Sequence, residues 1–468
     1  MYVSRKPAAI AEEAPTGQDQ AHPEGGNAPG PVMTAGAEGD ALVSSGSGTG
    51  SVTGSGSATD SSTIRVPRNV IALGAVSLLT DISSEMITSV VGYYLLVYLQ
   101  VSTITVGFLD GFYSAVPVLF AIYAAYLADR YQRRKLLAGV GYGLSAISKL
   151  GFPIVGASVG GLGLVQGSDR LGKGLRTAPR DSLISLSTPP EIHGRAFGVH
   201  RMMDTIGAFL GPLIAIVALS LAVTAVAFDA VFVTSFCVAM IGLLALVLFV
   251  TDRREPMPKR STVSLRAGFR LLRGKEFRRV CIAATLLSVA WISDTFIYLV
   301  LQQRLGLTAI EYALLAVVTS GSYLLFAMPL GRIADRVGRW RIFLGGHICL
   351  LVEYLLLASP IAGITLVLVT LPIHGLYYAM TDGVLMAHAG PMLPRELRTA
   401  GMAVLQSLRA LGALVSSLVF GFAWAQVSSR TVIYGFIVAL VIALIGAVLL
   451  VRPESRREST NSPTRPAL

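Results

Sequence analysis

Ionisable side chains recur inside the apolar stretches of this chain. Asp81 and Glu85 stand at i and i+4, so a helix would carry both carboxylates on one face. Ser77, Ser84 and Thr88 extend the same stripe. Asp110, Asp169, Asp204, Asp294, Glu353 and Asp382 are further acids in apolar surroundings. The bases there are Lys149, Arg170, Lys173 and Arg409. A charge at bilayer depth costs about 2.5–3.5 kcal/mol on insertion scales, so such groups face a cavity or a partner. If every base pairs with an acid, acids remain over, and an unpaired carboxylate in a low dielectric takes up a proton readily. That is the chemistry of a proton carrier or of a site for a cationic substrate. A dedicated anion exchanger would need bases in excess. The alternative is a set of buried pairs, with Asp81 and Glu85 locked to Arg170 or Lys173 for packing. His374 and His388 have no His or Cys at i+3 or i+4, so they read as satisfied or interfacial rather than as metal ligands. No metal or cofactor is expected.

The elements that hold these residues follow from composition. Of 468 residues, 53% are hydrophobic and only 14% charged, against about 25% charged in a soluble domain. This excludes a soluble enzyme or nucleic-acid binder, despite a net charge of +11. Apolar segments of bilayer length lie near 70–99, 105–128, 136–157, 161–183, 197–221 and 227–250, then 279–303, 308–331, 341–359, 363–387, 400–425 and 431–451. The expected fold is an all-α membrane protein with twelve transmembrane helices in two six-helix bundles, 65–250 and 279–451, joined by a basic loop at 251–278. Lys and Arg crowd into alternate loops, with Arg180 and Arg195 assigned to the loop after the fourth segment. The other loops hold only Arg304 and Arg430. Both termini are therefore expected on the cytoplasmic side of the cell membrane. Residues 1–64 are Gly-, Ser- and Ala-rich with two bases against seven acids, and read as a disordered tail. Residues 452–468 form a second polar tail. Cys237, Cys281 and Cys349 lie singly in apolar runs, with no CxxC pair.

The halves repeat. Ala125-Tyr-Leu-Ala-Asp129-Arg130-Tyr-Gln132-Arg133-Arg134-Lys135 follows the second segment, and Gly331-Arg-Ile-Ala-Asp335-Arg336-Val-Gly338-Arg339-Trp-Arg341 follows the eighth. Pro190-Glu-Ile-His-Gly194-Arg195-Ala is echoed by Pro394-Arg-Glu-Leu-Arg398-Thr-Ala. A six-helix unit repeated with the same topology implies an axis along the membrane normal. With these loops and the basic central loop, the chain resembles the major facilitator superfamily of secondary transporters. Gly211-Pro212 on the fifth segment resembles that family's antiporter motif, and Arg170 its motif arginine. Leu79-Thr-Asp81-Ile-Ser-Ser-Glu85-Met86, Asp169-Arg-Leu-Gly-Lys-Gly-Leu-Arg-Thr-Ala-Pro-Arg-Asp181 and Gly194-Arg-Ala-Phe-Gly-Val-His-Arg-Met-Met-Asp204-Thr resemble a prokaryotic permease subgroup. Some of its members are linked to drug efflux and some to siderophore or iron handling. Ala125 and Gln132 stand where the family's loop usually has glycines.

The resemblance implies that the first segment lines a central cavity. It makes Asp81 and Glu85 the first proton or substrate candidates, Asp294 on the matching seventh segment the next, and Arg170 a base that tunes a nearby carboxylate. Asp129, Arg130, Asp335 and Arg336 become gating residues that latch the inner side. Gly207, Gly211 and Pro212 would allow close helix approach and a bend. The expected function is proton-coupled efflux of a small organic molecule by a monomer in the lipid bilayer. An importer of an iron–siderophore complex, or a transporter-like receptor or scaffold, are the alternatives. No nucleophile elbow, HExxH or P-loop marks an enzyme or an ATP-driven pump. A reporter fused after Ala467 should be active only in its cytoplasmic form. Activity of a periplasmic-type reporter there would overturn the orientation.

Overall fold

The computed structural model describes residues 66–131, 133–189, 192–252, 269–394 and 397–451. For 119, 122, 124–131, 224 and 399 it describes the backbone alone. Both expected tails and most of the central loop lie outside the described residues. Every regular element among the described residues is helical. Nine helical stretches there are long and apolar enough to cross a membrane.

The first half contributes α1 (Arg68–Tyr93), extended by one π turn at Tyr94–Tyr98, then α2 (Thr103–Tyr131), α3 (Arg134–Ser148) and the short α4 (Gly151–Val155). These are followed by α5 (Val159–Leu186), α6 (His193–Leu221) and α7 (Ala227–Phe249). The second half contributes α8 (Lys275–Val289), α9 (Asp294–Leu305), α10 (Ala309–Val337), α11 (Arg339–Ala358), α12 (Ile364–Thr381), α13 (Val384–Ala389), α14 (Arg398–Gln426) and α15 (Ser429–Leu450). Start signals are local where they exist. Thr308 and Glu311 form a capping box on α10, and Ser158 and Ser428 cap α5 and α15.

Three segments expected to be continuous are broken. The seventh stops at Val289 and restarts at Asp294. Breaking a helix frees backbone groups that must find partners away from water. Tyr354 supplies them: its hydroxyl accepts from the Ile292 amide at 2.6 Å and donates to the Ala290 carbonyl at 3.1 Å. The Ser416 hydroxyl donates to the Trp291 carbonyl. The tenth segment ends at Thr381, and Gly383, at φ +77°, turns the chain into α13. Only glycine adopts that backbone at low cost. The third segment is also interrupted, between α3 and α4.

Within the first half α1 packs on α6 and α7, and α5 on α2 and α3. Within the second, α12 packs on α10 and α11, and α8 on α14 and α15. The halves meet along α2–α14, α6–α10 and α1–α10. The α2–α14 seam is built on glycine. A Cβ at Gly421 would lie 2.5 Å from the Thr103 carbonyl oxygen and 2.9 Å from the Gly107 Cα, and one at Gly107 2.5 Å from the Ser417 carbonyl oxygen. Asp110 on α2 accepts a 2.6 Å hydrogen bond from the Ser417 hydroxyl across the same seam. Large apolar side chains such as Leu221, Leu325 and Met328 stay exposed on the outer surface, as lipid contact requires.

Replacing Gly421→Val should force the α2 and α14 ends apart, since both obstacles are backbone atoms. Spin labels at Ile104 and Ala425 should report a longer or broader distance distribution than in the unsubstituted protein. An unchanged distribution would show that the glycine seam does not set the approach.

Candidate functional site

A cavity of about 630 Å³ opens between the halves, walled by α1, α5 and α6 on one side and α9, α10 and α12 on the other. Asp81 and Glu85 both line it, one turn apart on α1. What holds α1 there is the glycine pair of α6. A Cβ at Gly207 would lie 2.7 Å from the Leu78 carbonyl oxygen and 3.1 Å from the Asp81 Cβ. One at Gly211 would lie 2.6 Å from the Glu85 Cβ. The two backbones therefore touch at the turns that carry the carboxylates. Pro212 is buried within an α6 that runs unbroken.

The basic side of the cavity belongs to the first half. Lys173, Arg176 and Arg180 stand along one face of α5 and line the cavity, joined by Arg201 of α6. Arg180 is thus inside a helix and on the cavity wall, not in a loop as its place in a basic cluster led us to expect. It donates to the Ser77 hydroxyl at 3.1 Å and pairs with Asp181 at 3.0 Å. The partner of Asp81 is Arg176, at 3.9 Å, rather than Arg170 or Lys173. Among the described residues, Glu85 and Lys173 make no ion pair within 4 Å. Arg170 does not line the cavity. It is tied into a buried knot with Asp169, which also accepts from the Ser145 hydroxyl at 2.5 Å, while its guanidinium lies 3.8 Å from the centre of the Tyr113 ring. The carboxylate it holds is therefore Asp169. Lys149, fully buried, donates to the Ser83 hydroxyl.

The opposite wall carries Asp294, Asp382 and the tyrosines Tyr298, Tyr323 and Tyr378, with no base among its described residues. The break before α9 places Asp294 in a first helical turn, where free amides and the helix dipole favour a carboxylate. Asp294 accepts from the Tyr378 hydroxyl at 2.5 Å and lies 3.1 Å from His374 Nε2. The other ring nitrogen, Nδ1, is 2.9 Å from Glu353 on α11, and both His374 and Glu353 are completely buried. Hydrogen bonds at both ring nitrogens would need two protons along Asp294–His374–Glu353, one more than a neutral imidazole carries. His374, read from sequence as satisfied or interfacial, has two acids on other helices as its partners. Those partners, 80 and 21 residues away, left no local signal. Asp382, at the break after α12, pairs with Arg201 across the cavity mouth at 3.1 Å. Asp204 lies 3.4 Å from His200 Nδ1.

Asp335 and Arg336 are not among the described residues that line the cavity. Asp335 accepts two hydrogen bonds from Arg339, at 2.9 and 3.0 Å, and Arg339 also donates to the Ala387 carbonyl at 2.7 Å, tying the α10–α11 corner to α13. Arg336 is exposed beside it. Asp129 and Arg130 fall in the last turn of α2, and their side chains lie outside the described residues. Among those described, no group of three His, Cys, Asp or Glu residues is arranged to hold a metal ion.

His374→Leu should strand two facing carboxylates and cost about 3–5 kcal/mol of stability. Glu353→Gln combined with His374→Gln removes one acid along with the base and should lose less. Thermal unfolding in detergent compares them. A single variant as stable as the unsubstituted chain would show that the histidine does not bridge the acids.

A family model described as the Major Facilitator Superfamily matches residues 73–350 and 290–467. An uncharacterised MFS-type transporter of Methanocaldococcus jannaschii is 28% identical over 385 residues, covering 81% of this chain and 94% of the relative. In fold, the chain is similar to a nucleoside transporter (TM-score 0.68, 14% identity, 82% of this chain and 99% of that one). It is also similar to a D-xylose–proton symporter (TM-score 0.66, 16% identity, 82% and 97%). A bacterial homologue of the lysosomal transporter Spinster, in an inward-facing form, aligns with TM-score 0.64 at 18% identity, covering 82% and 96%. With its apolar helices and a model match along most of its length, the chain is a multi-pass membrane protein and belongs to the Major Facilitator Superfamily of secondary transporters.

Proposed function

We propose that this protein moves a small charged or polar organic molecule by alternating access, in exchange for protons, and that the net direction is efflux. The observation that carries the reading is the cavity between the halves, lined by carboxylates from both. In this reading the twelve segments form two six-helix halves, residues 65–250 and 279–451, that rock about the cavity with both termini cytoplasmic. The monomer suffices for transport. Residues 1–64 and 452–468 are dispensable tails.

Protons enter through geometry. Glu85 faces the cavity without an ion-pair partner among the described residues. Its neighbour Asp81 is held only loosely, at 3.9 Å from Arg176. A carboxylate that exchanges a base partner for a proton as the cavity changes sides couples the two fluxes. The cavity holds Lys173, Arg176, Arg180 and Arg201 against Asp81, Glu85, Asp204, Asp294 and Asp382. Walls of both signs support a substrate that is itself polar or charged. The names of the fold relatives, a nucleoside transporter and a sugar–proton symporter, agree with that scale and polarity. The Gly211-Pro212 pair against α1 supports the antiport direction through its likeness to the family's antiporter motif. Asp335 and Arg339 act as the inner latch, and Asp129 with Arg130 as its counterpart in the first half.

The test is substrate-dependent proton flux in proteoliposomes carrying a trapped pH dye, screened with small organic cations, zwitterions and neutral polar solutes. Asp81→Asn or Glu85→Gln should insert normally and lose proton movement at least tenfold. Exchange of substrate down its own gradient should persist. If both variants, and the double variant, keep the flux of the unsubstituted protein, α1 is not the coupling helix and Asp294 is the next residue to replace.

A further inference from the structure

A second cleft, of about 730 Å³, lies away from the central cavity where α8 begins, α10 turns into α11 and α15 ends. Arg279, Arg339 and Arg341 line it, with Glu276 as the one acid among the described residues there. Arg339 is occupied by Asp335 and the Ala387 carbonyl. Arg279 and Arg341 are exposed and make no ion pair among the described residues. Two more polar nitrogens are unused. The indole nitrogen of Trp340, a donor, and Nε2 of His388 belong to side chains lining the cleft, and among the described residues both atoms are buried without a hydrogen-bond partner. The rings of these two residues lie 5.4 Å apart. A buried polar nitrogen without a partner costs about 1–3 kcal/mol, so a site that keeps two of them, one a certain donor, is short of a hydrogen-bonding group. The rest of the wall is apolar and includes Leu344, Val448 and Leu450. Val337 and Val448, on the same rim, are about half exposed on the outer surface of the helices.

We propose that this cleft holds the headgroup of an anionic phospholipid, with its phosphate among Arg279, Arg341 and the two unused nitrogens and its acyl chains along α11 and α15. The features divide as such a ligand does. Cations and donors sit at the helix ends, an indole sits at the border, and the apolar wall continues along the helices. An excess of arginine selects a net negative headgroup over a zwitterionic one. Planar guanidinium groups also suit a phosphate better than a single carboxylate. Glu276 at the rim would oppose a second negative charge there, which favours a singly charged headgroup such as phosphatidylglycerol. The site does not depend on what the central cavity transports.

Native mass spectrometry of the full chain in neutral detergent tests this directly. Phosphatidylglycerol and phosphatidylcholine of the same acyl chains are titrated into the unsubstituted protein and into Arg279→Gln/Arg341→Gln. The expected result is at least tenfold tighter retention of phosphatidylglycerol, lost in the double variant, with the variant otherwise folded by thermal unfolding. Trp340→Phe, which keeps the ring and removes the donor, should weaken retention by a smaller factor. Equal retention of the two lipids, or an undiminished preference in the double variant, overturns the proposal. A third arm adds glycerol phosphate without acyl chains. If it displaces phosphatidylglycerol at equal concentration, the site takes a soluble anion and the lipid assignment is wrong.

Discussion

A charge placed inside a bilayer has to find a partner, a helix end or water, and the arrangement of this protein follows from how each of its charges does so. Asp169 and Arg170 satisfy one another in a dry knot. Asp294 finds a helix N-terminus, a tyrosine and a histidine. Arg176, Lys173 and Glu85 face a shared cavity instead. Charges of the first kind fix the packing of α5. Those of the last kind are the ones whose surroundings change if the cavity changes sides, so they carry the proposed chemistry.

Small residues and broken helices are the means by which the chain meets that constraint. Gly207 and Gly211 let α6 lie against α1 at the two turns that bear carboxylates, so the acids are held by backbone contact rather than by a long side chain. The break at 290–293 turns a helix interior into a helix start and so creates a place for Asp294. Its exposed backbone is answered from α11 and α14, through Tyr354 and Ser416. The second break leaves Asp382 at the cavity mouth, within reach of Arg201 from the other half. Each device has a backbone reason and a charge that depends on it.

Local spacing made part of this legible. Asp81 and Glu85, at i and i+4, share a cavity face, and the glycines at 207 and 211 lie where α6 and α1 come close. Asp382-Gly383 is a turn pair that a stricter reading of the tenth segment would have taken as an end. The seventh segment gives no such warning. Ala290-Trp-Ile-Ser293 contains neither glycine nor proline, and the break is stabilised by a tyrosine more than sixty residues away. Arg180 was misplaced because clustered arginines read as loop, whereas in α5 it lines the cavity and is partnered by the Ser77 hydroxyl and Asp181. The bridge from Asp294 through His374 to Glu353 joins three separate helices, so no window along the chain could show it.

The proposed transport requires that the space between α1, α5, α6 and α9, α10, α12 be a water-filled path reached in turn from the two sides of the membrane. Accessibility of its walls measures this directly. In a background without Cys237, Cys281 and Cys349, Ala208→Cys and Ser320→Cys are labelled in oriented vesicles with a membrane-impermeant thiol reagent applied to one face at a time. Both positions line the cavity, one from each half. Alternating access predicts labelling of both from one face at rest. It also predicts a rise in labelling from the opposite face, with a matching fall on the first, when a proton gradient is imposed. Cysteines that react from neither face, or from one face alone under every gradient, would contradict it.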